Sequence, residues 1–92
     1  MKTIILNGLD IISMSEIHNI FSEELDFPEY YGRNLDALYD CLSEVSEEVE
    51  IVIEEREELS ENLGISFDRL CNLLVDISEE YDNISVSFLK RT

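Results

Sequence analysis

The chain has 92 residues, the size of one domain, and 45% of them are hydrophobic, enough for a core of modest stability, about 5–10 kcal/mol. Twenty-two Asp and Glu against six Lys and Arg leave a formal net charge of −16. That charge disfavours binding to nucleic acid, favours a strongly basic partner and, by self-repulsion, a monomer.

In chain order, Ile4-Ile5-Leu6 is a short apolar run closed by the turn pair Asn7-Gly8, which predicts a first strand. Ser13-Met14-Ser15-Glu16 has the spacing of a capping box. Ile17, Ile20, Phe21 and Leu25 follow at helical intervals and predict a helix over 14–25, ended by Pro28. Asn34 is placed to cap a second helix over 35–46, with Asp36 in its first turn, where the helix dipole favours an anion. Leu35, Leu38, Leu42 and Val45 form the buried stripe of that helix.

Ile51-Val52-Ile53 reads as a second strand between Glu50 and Glu54. A short helix over 56–63 buries Leu59 and Leu63 and stops at Gly64. Ser66 is expected to cap a helix over 67–80 that turns Phe67, Leu70, Cys71, Leu74 and Ile77 inward. After the turn pair Asp82-Asn83, residues 84–88 alternate as a third strand. Strands separated by helical segments call for parallel pairing through right-handed crossovers. The expectation is an α/β fold: one small domain over 1–92, with a three-stranded parallel sheet and helices packed against it. No apolar run approaches the ~18–20 residues of a membrane span, and no signal-peptide pattern opens the chain, so a cytoplasmic location is expected. Cys41 and Cys71 fall in helical apolar patterns, where reduced, buried thiols are the rule.

Asp36, Asp40 and Glu44 recur at i, i+4 and i+8 and share one face of the second helix, away from the leucine stripe. Like charges at this spacing cost a helix about 0.2–0.5 kcal/mol per pair. Just before them stands Pro28-Glu29-Tyr30-Tyr31-Gly32. Tyrosines supply rigid contact area with a hydrogen-bonding tip, and Gly32 permits close approach. One tyrosine is expected to pack inward and the other to face a partner. A column of carboxylates presents oxygen anions that arginine forks bind as they bind phosphates, so such a helix suits the cationic cleft of a nuclease.

The run Pro28-Glu29-Tyr30-Tyr31-Gly32-Arg33-Asn34-Leu35-Asp36-Ala37-Leu38-Tyr39-Asp40-Cys41-Leu42 resembles the inhibitory loop and second helix of the barstar family. The likeness extends more weakly through Leu6-Asn7-Gly8, the order of elements and the last strand. It implies a three-stranded parallel sheet and tight one-to-one inhibition of a basic, guanyl-preferring, barnase-like extracellular ribonuclease, held harmless inside the producing cell. On that resemblance Asp40 enters the enzyme's phosphate-binding centre and meets its catalytic arginines and histidine. Asp36 pairs with a neighbouring basic residue, and Tyr30, the outward tyrosine, stacks on the catalytic histidine. Gly32, Asn34, Leu35 and Ala37 supply backbone and packing contacts, and Tyr39 and Glu44 extend the surface along the helix. Asp76 and Glu80, one turn apart on the last helix, fall where the family carries further acidic contacts. Three features depart from the best-known member: Arg33 replaces an acidic residue at the rim, Tyr39 replaces tryptophan, and the stretch 44–50 lacks a tryptophan and a proline and is about one residue longer. Because rim charges tune partner choice, an immunity protein against a different basic toxin is the alternative. An acidic module that mimics DNA shares the charge argument but leaves the Tyr-Tyr-Gly-x-Asn-Leu-Asp run unexplained.

No chemistry-bearing pattern competes with this reading. His18, the single histidine, is expected at the surface, off the main apolar stripe. Neither cysteine has a CxxC partner, and there is no EF-hand spacing and no glycine-rich phosphate loop. The expectation is a binding protein with no enzymatic activity, no metal and no cofactor.

Overall fold

The computed structural model describes residues 1–89. Its elements in chain order are β1 (Lys2–Asn7), α1 (Met14–Glu24), α2 (Leu35–Ser43), β2 (Val49–Glu54), α3 (Arg56–Leu63), α4 (Ile65–Glu80) and β3 (Ile84–Phe88). The three strands form one parallel sheet in the order β1-β2-β3, with Ile4 opposite Ile51 and Ile51 opposite Val86. The fold expected from the sequence is the fold observed.

Both crossovers step across the sheet in the same direction, and the helices they carry bury one face. Ile4, Leu6, Val49, Ile51, Ile53 and Ile84 all point to that face and are at most 2% exposed. The alternate positions point the other way: Thr3 and Ser85 are exposed, and Ile5 is 52% exposed. Parallel sheets are usually covered on both faces. Here two same-direction connections leave one face to solvent, which explains why β1 alternates while β2, in the centre, keeps even Val52 buried. Onto the covered face the helices bring Ile17 and Phe21 of α1, Leu38 and Leu42 of α2, Leu59 of α3, and Phe67, Leu70, Leu74 and Ile77 of α4. Among the described residues no helix is long and apolar enough to cross a membrane.

Several local expectations need correction. Helix α1 stops at Glu24, ahead of Pro28. The chain reverses at Asp26, left-handed at φ 53°, and the Phe27 amide donates to the Ser22 carbonyl at 3.0 Å, closing the last turn. The Ser13 hydroxyl does accept from the Glu16 amide, but the Glu16 carboxylate returns to the amide of Ile12, outside the reciprocal box. Helix α2 ends at Ser43, so Val45 packs from the following turn. Ser66 is not a cap: α4 begins at Ile65, directly from Gly64, which closes α3 as well. Gly64 has φ 62° and ψ −139°, and a Cβ there would meet nothing within 4 Å. Its glycine is therefore required by backbone conformation alone. Cys41 and Cys71 are half-buried free thiols rather than fully buried ones.

Two asparagines fix the connections. Asn62 donates from Nδ2 to the carbonyls of Gly8 (3.4 Å) and Ile11 (3.0 Å), fastening the loop after β1 to α3. Asn83 donates to the carbonyls of Val45 (2.8 Å) and Glu47 (2.9 Å), fastening the start of β3 to the turn after α2. The segment 44–48 is thereby held at the foot of α2.

Candidate functional site

Helix α2 begins where the sequence places it. Asn34 is extended (φ −136°), and its Oδ1 accepts from the Ala37 amide at 2.8 Å. With Leu38 and Leu42 fully buried, the opposite side of α2 must face water, and it carries Asp36, Asp40 and Glu44, all exposed. The Lys2–Glu24 pair, 3.8 Å apart, is the single salt bridge among the described residues, and it lies on other elements. Among the described residues, then, no cation pairs with the carboxylate column.

Helix α2 packs on α4, and this contact brings the second acidic group to the first. Asp76 and Glu80 are exposed on α4, and with Tyr81 they lie near the half-buried Tyr39 of α2. Partial desolvation, then the charges of Glu80, Tyr81 and Asp76, push the Tyr39 phenol above its usual range. Tyr39 thus sits between the two acidic groups. Cys41, on the next position but one, is also raised, by burial and then by Glu44 and Asp40.

The loop ahead of α2 separates its two tyrosines sharply: Tyr30 is 87% exposed and Tyr31 is 8% exposed. Tyr31 is held by Phe27, edge to face with ring centroids 5.0 Å apart, and by His18, whose Nδ1 lies 2.6 Å from the phenol oxygen. Burial, with a smaller contribution from Cys41 and against the opposing charge of Arg33, pushes the Tyr31 phenol up to about 12. His18 is buried, not a surface residue, and the expectation drawn from its neighbours was wrong. Burial, then the charge of Arg33, lowers its pKa from the ordinary 6.5. The missed signal lay in chemistry rather than periodicity: a tyrosine turned inward needs a partner for its hydroxyl, and His18 is the imidazole one turn ahead of Phe21.

The remaining residues of the surface serve its shape. A Cβ on Gly32 would stand 3.3 Å from both the Ala37 Cβ and the Asn34 Nδ2, tight enough to crowd the start of α2. Leu35 and Ala37 are half-buried and pack against the core. Arg33 is exposed and left-handed (φ 54°), and its Nη2 donates to the carbonyl (3.0 Å) and the hydroxyl (3.1 Å) of Ser15 on α1. The structure thus carries Asp36, Asp40, Glu44 and Tyr39 along α2, sets Asp76 and Glu80 of α4 near Tyr39, and exposes Tyr30 on the loop that leads into α2. It adds Ser15 and His18 beneath the loop, which sequence reasoning had not joined to it.

A relative from Bacillus subtilis (strain 168), named "Putative ribonuclease inhibitor YrdF", is 51% identical over 43 residues, which span 47% of this chain and 47% of that protein. The match thus covers about half the length of the relative. Residues 1–90 match the family described as Barstar (barnase inhibitor). With the parallel sheet, the acidic α2 and the exposed Tyr30 already in place, a match of that extent makes the chain a member of the barstar family.

Proposed function

We propose that this protein, acting as one domain and one-to-one, inhibits a basic, guanyl-preferring, barnase-like ribonuclease in the cytoplasm by covering its active site. The observation that carries the reading is the column Asp36–Asp40–Glu44, paired with no cation among the described residues, and the 87% exposed Tyr30 on the loop ahead of it. Asp40, central on the column, enters the phosphate-binding centre; Asp36 meets a basic residue beside it; Tyr30 stacks on an aromatic or imidazole ring of the enzyme. Asn34, Gly32, Leu35 and Ala37 make the close contacts at the head of α2. Tyr39, Asp76 and Glu80 form the far rim, where charge steers encounter more than it adds affinity. The family relationship and the name of the B. subtilis relative support a ribonuclease as the target. The protein performs no catalysis itself.

The test is titration of RNA hydrolysis by a small basic guanyl-preferring ribonuclease, with wild type and Asp40→Ala. Removing one partner from a desolvated ion pair costs about 3 kcal/mol or more, so inhibition weakens roughly 100-fold or more. The free variant folds normally, because Asp40 is exposed and its removal relieves like-charge repulsion along α2. A folded Asp40→Ala protein that inhibits as well as wild type refutes the assignment. Arg33 is the observation favouring a second reading, immunity against a different basic toxin: it adds a cation to the loop between Tyr30 and Asp36, with its guanidinium held on Ser15. Tight binding to such a toxin without effect on any ribonuclease would select that reading.

A further inference from the structure

Tyr30, on which the proposed surface depends, has no anchor of its own. Among the described residues its side chain makes no hydrogen bond, ion pair or ring contact, and the direction in which it points is set by the backbone that follows it. The next residue, Tyr31, is pinned to His18. Two residues further on Arg33, from a left-handed backbone, turns its guanidinium back onto Ser15 and holds both the carbonyl and the hydroxyl. Ser15 and His18 are three apart on α1, so the two anchors lie on the same side of one helix, a turn apart. Between them runs only Gly32, whose own backbone carbonyl accepts a long 3.4 Å bond from Asn34.

The geometry points to Arg33 as a positioning residue that clamps the Tyr30–Arg33 segment onto α1 and so pre-organises the surface, rather than as a charge aimed at the partner. What the loop is for rests on the ribonuclease-inhibitor reading; the clamp itself does not. A guanidinium suits the task because the two hydrogens of its Nη2 reach both Ser15 acceptors from a planar group that stays charged. Pre-ordering matters because each side chain or loop segment immobilised on binding subtracts from affinity. The sign of the effect separates the two roles. Removing a cation from an inhibitor of a basic enzyme, by charge alone, speeds association and tightens the complex. Removing a clamp weakens it.

Backbone order parameters from 15N relaxation of the free protein test the clamp without any partner. In wild type the Tyr30–Arg33 amides are expected near 0.85, the rigid range, and in Arg33→Ala they fall below about 0.6, while α1 and α2 keep their values. Ser15→Ala, which loses one of the two acceptors, gives an intermediate fall. Arg33 is exposed, so the thermal midpoint serves as a control and stays near that of wild type. Against the basic guanyl-preferring ribonuclease, Arg33→Ala inhibits roughly 3- to 10-fold more weakly in spite of its greater negative charge, and the deficit persists in high salt. Order parameters unchanged in Arg33→Ala, or tighter inhibition by it, overturn the proposal. If wild type does not inhibit the enzyme, the ribonuclease reading fails, and the relaxation data still decide whether the clamp exists.

Discussion

Replacing Tyr31 with Phe removes one oxygen from the interior and leaves its partner behind. His18 is 5% exposed and Tyr31 8%, and their 2.6 Å bond is the means by which the imidazole Nδ1 is satisfied. A buried polar atom deprived of its partner costs about 1–3 kcal/mol, whereas replacing both partners by apolar groups is nearly neutral. Tyr31→Phe is therefore expected to destabilise the protein by about 2 kcal/mol. For a domain of this size that lowers the thermal midpoint by about 8–16 °C. In urea at pH 7.5, followed by far-UV circular dichroism, the midpoint falls by about 1 M with an unchanged slope. The double variant His18→Leu/Tyr31→Phe recovers most of the loss, so the mutant cycle gives a coupling well above the ~0.5 kcal/mol of independent sites. A Tyr31→Phe protein within about 0.3 kcal/mol of wild type, or a double variant no better than the single, would show that the pair does not hold the loop.

The same pair makes stability depend on pH. The folded-state pKa of His18 lies below the ordinary 6.5, so the unfolded chain binds the proton more readily. This contribution is complete above about pH 6.5 and declines as the pH falls from there to the folded-state value, below which it changes no further. Urea titrations of wild type and His18→Asn across that window isolate it, and identical pH slopes in the two proteins contradict it. Asn34→Ala removes the cap of α2 and costs about 1 kcal/mol in the same assay, whatever Asn34 contributes to binding. Gly8→Ala drives a methyl into the Glu55 carbonyl and to 2.8 Å from the Leu59 amide nitrogen. Overpacking of this kind costs about 1–3 kcal/mol or more, readable as a lower urea midpoint, and an unaffected midpoint would mean that α3 yields freely.

Much of this molecule is legible from local pattern. Apolar spacing locates all seven elements, because burying one stripe of a helix or one side of a strand is a constraint each segment meets within itself. The Asn34 cap, the outward Asp36–Asp40–Glu44 column and the break at Gly64 follow from the same local physics. The run from Pro28 to Leu42 carried the family resemblance through the residues themselves, whatever they touch in the fold. Tertiary structure alone decided the rest. The end of α1 at Glu24, the start of α4 without a serine cap and the burial of His18 all depend on what each segment packs against. Asp76 and Glu80 reach Tyr39 only because α2 lies on α4, thirty-seven or more positions along the chain. Arg33, read from the sequence as a rim charge, proves to be tied to Ser15, because a left-handed backbone turns its side chain toward a helix eighteen residues earlier. Hydrophobic periodicity records which side of an element is buried; it holds no record of which distant polar group will complete a hydrogen bond, and that is settled only when the helices close over the sheet.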